Sequence, residues 1–386
     1  MKSFNGLYDK MMELEEIKLS IKSASKNKRK RADVRRALAN LDKVAKDKKA
    51  LVESGNWRPP HHEKARLCEG SHKKTRMIEK PRWKDEQIIH HMLVRQFRKI
   101  ALPRMYRYSC GSVPGRGPHF AVRTMKRWRD GYNGCKFYVA ELDIKGFYDN
   151  VDVELLKAML QKVIRDKRYL DLLFRVIDGG APGLPKGFYT SPWFANFMLT
   201  PLDNYITQVL RPDHYLRFMD NMFLFSRNKK QLHKMVTAIE EYLGKRLRLR
   251  LKEDWQVFRF EYEPTQIQRT RAEKRQKRRP PRRTRRKKRE RKEWGRAINC
   301  LGFVIHHNRV TIRKSILKRT RAKANRIKRK GKLPVRDAAS MVSRMGWFKF
   351  TNTYNYYLKW IKPKISIQYC KRRISAKAKK KGVNKK

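Results

Sequence analysis

Residues 139–152, VAELDIKGFYDNVD, and residues 214–226, HYLRFMDNMFLFS, decide how the rest of the chain is organised. The first follows from an apolar run, 137–142, that delivers Asp143 at its end; the aromatic pair Phe147-Tyr148 and a polar turn come next. The second has two apolar-rich arms, 215–218 and 222–225, around Met219-Asp220-Asn221. That pattern predicts a β-hairpin with an acidic group at its tip. A carboxylate at the edge of a core strand is costly unless something cationic meets it. Brought together, Asp143 and Asp220 would make a hard oxygen site suited to Mg2+. In-line phosphoryl transfer needs such a site, one ion on the attacking hydroxyl and the other on the leaving pyrophosphate.

Composition narrows the partners. At 386 residues the chain can hold one large or two smaller domains, and 40% hydrophobic residues are enough for a folded body. Lysine and arginine number 99 against 35 acids, a formal net charge of +64. The obvious counter-polyanion is nucleic acid. A membrane surface is the rival, but no segment approaches the ~18 apolar residues that a span requires. Residues 1–16 have no apolar signal core. The five cysteines, at 68, 110, 135, 300 and 370, are scattered and odd in number, with no Cys-X-X-Cys pair. They read as reduced thiols in an intracellular protein, with the bacterial cytoplasm the expected compartment.

Three ordered stretches carry a family resemblance. DIKGFYDNVD at 143–152 resembles the first catalytic motif of reverse transcriptases, and LPKGFYTSPWFANFMLTPLD at 184–203 resembles their second. RFMDNMFLFS at 217–226 resembles the hairpin that usually carries Tyr-X-Asp-Asp. PGRGPH at 114–119 is similar to a turn of the bacterial enzymes related to group II introns, and the length suits short bacterial or phage retroelements of the retron or diversity-generating kind. The resemblance implies an α+β right-hand polymerase fold, with fingers, an antiparallel palm sheet and a helical thumb. It implies DNA synthesis on an RNA template from a DNA primer and dNTPs, with two Mg2+ ions and Mn2+ as the alternative ion. It leaves room for a small accessory protein and predicts no membrane.

Residue by residue, the resemblance implies catalytic carboxylates at Asp143 and Asp220 and a metal site formed by Asp143, Ile144 and Asp220. Lys74 and Arg76, on alternate residues of a KxRxI strand, fall where the fingertips hold the triphosphate. Tyr148 falls where a ring blocks the ribose 2′-hydroxyl, and Lys186-Gly187 in the nucleotide pocket. Arg116 and Lys252 are candidates for contact with nucleic acid. Three positions depart from the family pattern: Asn221 stands for the second hairpin Asp, Phe218 for Tyr, and Lys186 for Gln. They keep open the alternative of a catalytically weakened relative that binds RNA.

The remaining chain reads outward from this centre. Residues 1–58 form a basic helical extension, either gripping template or packed on the body as a solvated helix pair. Residues 59–262 are fingers and palm, with a hairpin over 66–78. His61, His62, Cys68 and His72 could be drawn as a zinc site, but their spacings match no tight ligand pair. Residues 83–101 are an amphipathic helix in which His90 and His91 serve packing. Asp152 caps the next helix, and Ser191-Pro192 opens another over 193–210. A helix over 229–247 and a strand over 249–260 follow. Residues 263–297 form an insertion in which 15 of the 24 residues at 268–291 are Lys or Arg, among them Arg282, Arg283, Arg285 and Arg286. It can bury no core and is expected to be disordered without a polyanion. Residues 298–312 resemble the primer-grip hairpin, 313–370 a helical thumb rich in aromatics, and 371–386 are a basic tail.

Overall fold

In the computed structural model, residues 3–60, 62, 64–69, 74–179, 182–262, 266, 270 and 294–383 are described. Arg282, Arg283, Arg285 and Arg286, with most of the basic insertion, lie outside them, as do His61 and His72. The fold is α+β. Its strands are β1 (Lys64–Glu69), β2 (Lys74–Glu79), β3 (Ser109–Cys110), β4 (Tyr138–Asp143), β5 (His214–Phe218), β6 (Asn221–Ser226), β7 (Gln256–Arg259), β8 (Ile298–Cys300), β9 (Phe303–Ile305) and β10 (Val310–Ile312). Among the described residues no helix is long and apolar enough to cross a membrane.

The chain divides into two compact units. The first holds residues 1–117, 140–226 and 230–257. A five-stranded sheet of order β3-β5-β6-β4-β7 places the two acidic stretches side by side. β5 and β6 pair antiparallel, from His214 opposite Phe225 to Phe218 opposite Asn221, which leaves Met219-Asp220 as a two-residue loop. The expected hairpin at 66–78 is β1-β2, with Leu67 opposite Arg76. The N-terminal segment forms four helices, Leu7–Met12, Leu14–Ala24, Ala32–Ala39 and Leu41–Glu53, rather than a helix pair. Met11, Ile17 and Ile21 bury their side chains in this unit, so part of the extension is core.

Helix Val153–Gln161 begins as expected, with Asp152 accepting a hydrogen bond from Leu155 N at 2.9 Å. That bond comes first among the causes that lower the Asp152 pKa. The helix expected over 193–210 is instead three pieces: Ser191–Met198, Thr200–Asn204 and a π turn, Tyr205–Leu210. Pro201 has no N–H to donate, so the α ladder is interrupted there. Its N-cap is Thr190 rather than Ser191. The strand expected over 249–260 contracts to β7 plus isolated bridges at Leu251, opposite Ile144, and at Phe260, opposite Arg296.

The second unit holds residues 118–139, 227–229 and 258–386. Its sheet runs β10-β9-β8, antiparallel throughout. Helices Lys314–Lys330, Val335–Phe350, Tyr354–Trp360 and Ile367–Val383 enclose a core with Ala324, Ile327, Met341, Phe348, Tyr357 and Ile361. Several aromatics of the expected thumb are therefore core residues. Trp347 stacks on Phe303 at 4.6 Å between ring centroids, whereas Tyr354 remains 42% exposed.

Candidate active site

Asp143 ends β4, and Asp220 occupies the β5-β6 turn. Their backbones meet: Ile144 N donates to the Asp220 carbonyl at 3.3 Å. Ile144 is itself fully buried and bridges to Leu251 on its other side. Lys252 N donates to the Asp143 carbonyl at 2.8 Å, and its ammonium pairs with Asp143 Oδ2. Thus Lys252, read as a contact to nucleic acid, lies against the Asp143 carboxylate here. Asp143 Oδ1 is buried and has no hydrogen-bond partner among the described residues. An anionic oxygen left this way suits a hard cation, so the donor set fits Mg2+. Among the described residues no group of three His, Cys, Asp or Glu side chains could hold a metal by itself. A two-carboxylate site of this kind is completed by ligands from outside the chain, such as phosphate oxygens.

The turn that carries Asp220 is under strain. Met219 has φ 56, the left-handed region that a two-residue hairpin loop favours glycine for. A clamp holds it there. Met219 N donates to the Cys110 carbonyl at 3.0 Å, and Arg217 Nη1 to the Met219 carbonyl at 2.9 Å. Gly111 leaves room for the Met219 side chain, since a Cβ there would stand 2.8 Å from Met219 Cγ. Arg217 has no exposure. It reaches Asp203 at 2.8 and 2.7 Å, Asn196 Oδ1 at 2.9 Å and Ser109 Oγ at 2.7 Å. Tyr215 adds its hydroxyl to Asp203 at 2.8 Å. Burial works against the Arg217 charge, and the Asp203 carboxylate more than offsets it. Nothing in the sequence reading singled out Asp203, Asn196 or Arg217; the available signal was an arginine inside an apolar strand, which demands a buried partner.

The nucleotide-side candidates gather around residues 183–189. Tyr148 is half-buried in a 3-10 turn, Phe147–Asn150, and its carbonyl accepts from Leu184 N at 2.7 Å. Lys186 Nζ meets both Asp149 oxygens at 2.6 Å. The Lys186 carbonyl accepts from Glu79 N at 2.8 Å, at the end of β2. Gly187 lies so close to that strand that a Cβ would stand 2.2 Å from the Glu79 carbonyl oxygen. Phe188 wedges between His62 and His90 at 4.7 and 4.9 Å, and Tyr189 stacks on His91 at 3.8 Å. The two histidines thus pack, as read from the sequence; burial pushes the His91 pKa down to about 3, so its ring is neutral. His62 binds Glu86 at 2.7 Å. Lys74 and Arg76 lie two residues apart on β2, in the strand that Lys186 and Gly187 abut at Glu79. Arg116 first serves its own loop, donating to the Tyr106 carbonyl at 2.9 Å.

The sequence model of the family described as reverse transcriptase (RNA-dependent DNA polymerase) matches residues 64–303, well over half of the chain. The chain belongs to that family. Relatives of this chain include the group II intron-encoded protein LtrA of Lactococcus lactis subsp. cremoris, 27% identical over 173 residues, which are 41% of this chain and 27% of the relative. Protein YkfC of Escherichia coli strain K12 is 27% identical over 132 residues, 31% of this chain and 35% of its own. The chain therefore spans between a quarter and about a third of the length of these curated relatives. Among solved structures, telomerase from Candida albicans, in complex with a fragment of telomeric RNA, superposes with a TM-score of 0.45 at 10% identity, covering 70% of this chain and 50% of that one.

Proposed function

We propose that this reverse transcriptase copies RNA into DNA, with Asp143 and Asp220 as its catalytic carboxylates. The single observation that carries the reading is the meeting of β4 and the β5-β6 turn, which sets Asp143 beside Asp220 and leaves Asp143 Oδ1 without a hydrogen-bond partner. Asp143, Asp220 and the Ile144 main chain would hold divalent ions, Mg2+ first. When bound, such ions lower the pKa of a primer 3′-hydroxyl and neutralise charge on the leaving pyrophosphate.

This chain's own residues supply position. The Arg217 clamp fixes the direction of Asp220, and the β4-β6 neighbourhood fixes Asp143. Lys252 balances Asp143 charge until substrate and ions arrive. Lys74 and Arg76 hold the triphosphate, for which two cations on alternate residues of one strand are suited. The Tyr148 ring stands beside the 2′ carbon of the incoming sugar. RNA template, DNA primer and dNTPs are the substrates, and a short retroelement is the setting proposed for them.

A second reading has two observations in its favour. Asn221 in place of a second hairpin carboxylate, and Lys252 already paired with Asp143, both reduce the negative charge available to a metal. That reading is an RNA-binding protein on a polymerase scaffold. Extension of a primer annealed to RNA, with dNTPs and Mg2+, separates the two. DNase-sensitive product supports the polymerase. Tight RNA binding without product supports the binding protein.

A further inference from the structure

We propose that the Lys186–Asp149 ion pair is a latch that fixes the Tyr148 ring, and that this pair sets how well the enzyme rejects ribonucleotides. The inference rests on the polymerase reading above and concerns its choice of sugar.

Residues 183–187 form a strap tied at both ends. At one end Gly183 adopts φ +84, and a Cβ there would stand 2.3 Å from the Tyr148 carbonyl oxygen. Leu184 N binds that same carbonyl at 2.7 Å. At the other end the Lys186 carbonyl and Gly187 are seated on Glu79. The turn that displays Tyr148 is closed by short local bonds, among them Asn150 Nδ2 to the Lys145 carbonyl at 2.9 Å. Asp149 N and Asn150 N both donate to the Gly146 carbonyl, at 2.9 and 3.0 Å, and Gly146 itself is left-handed. Beyond the backbone bond from Leu184 N, Lys186 adds a side-chain tie between the strap and the far side of the turn, with Nζ 2.6 Å from each Asp149 oxygen.

The pair is exposed, at 32% for Lys186 and 61% for Asp149, so it contributes only about 0–1 kcal/mol to folding. Sugar rejection is far more sensitive to position than folding is. It depends on whether one added oxygen clashes with the Tyr148 ring, and a displacement of about 1 Å in such a contact changes rates strongly. A family glutamine at 186 could not form this ion pair, so the device belongs to this chain.

The test uses the full chain, a poly(rA) template with an oligo(dT) primer, and either dTTP or UTP with Mg2+. The kcat/KM ratio for dTTP over UTP is measured for the wild type, Lys186→Glu, Asp149→Lys and the double swap. Tyr148→Ala defines the open-pocket limit. Each single change is expected to lower the ratio by about tenfold, within the range a small steric misfit produces. The swap is expected to restore most of it, with thermal melting unchanged throughout. Single variants with an unaltered ratio, or a swap no better than its parents, overturn the latch. So does an equal rise in KM for both nucleotides in Lys186→Glu with Asp149→Lys unaffected, which would make Lys186 a phosphate ligand. A wild type that extends no primer fails the polymerase reading instead, and the two failures are thus distinct.

Discussion

Arg217 carries a full charge with no exposure, and every polar atom around it is spoken for by Asp203, Asn196, Ser109 or the Met219 carbonyl. Removing one partner leaves the other charge buried and alone, which costs about 3–5 kcal/mol. Asp203→Asn or Arg217→Met should therefore lower denaturant stability by that amount. Asp149→Asn, at an exposed pair, should change it by less than about 1 kcal/mol. Equal small effects in all three would show that the Arg217 cluster is not the clamp described. The same residues mark a limit of sequence reading. Asp143 and Asp220 could be found because a carboxylate at a strand end or a hairpin tip is a local signal. The pairing of Arg217 with Asp203 could not, since their fourteen-residue separation fits no helix or strand period and only the fold brings them together.

At the scale of elements, the two ends of the strap at 183–187 are seated by backbone, and glycine is required where it touches Glu79 and Tyr148. Gly187 combines φ +119 with a Cβ position 2.2 Å from a carbonyl oxygen. Gly187→Ala should lower the unfolding midpoint by a strain of about 1–3 kcal/mol, whereas Gly244→Ala, with nothing within 4 Å, should be neutral or slightly stabilising. Thermal melts of the two variants check this, and a Gly187→Ala protein as stable as its parent would contradict the close approach. The hairpins β1-β2 and β5-β6 were legible because alternation and turn residues are short-range. The helix expected over 193–210 was not, because its apolar stripe continues through Pro201 while the backbone ladder does not. The strand over 249–260 failed for a related reason. Its alternation is real, but among the described residues only 256–259 pair as a strand, with isolated bridges at Leu251 and Phe260.

For the whole molecule, charge is the dominant fact: +64 on 386 residues. Residues 268–291 concentrate fifteen of the cations without an apolar residue larger than alanine. We propose that this block follows a phosphate backbone without reading bases. If it makes about five contacts on single-stranded RNA, replacing it with a short Gly/Ser linker should flatten the log-log salt dependence of affinity by roughly 3 to 4 units. Single-turnover extension on saturating template should survive, because none of the catalytic or nucleotide candidates lies in the block. Identical salt slopes with and without it would show that it never touches template.

The most direct measurement of the central claim sets the full chain beside Asp143→Ala and Asp220→Ala in primer extension on RNA, with RNA affinity measured in parallel. The two carboxylates are a small part of the surface that meets nucleic acid, so both variants should retain RNA binding within a few-fold while extension falls by at least about a thousandfold, the scale expected when metal-assisted charge stabilisation is lost. Extension near the wild-type rate in either variant, or none by the wild type at concentrations that saturate RNA, would contradict the assignment of Asp143 and Asp220 as the catalytic pair.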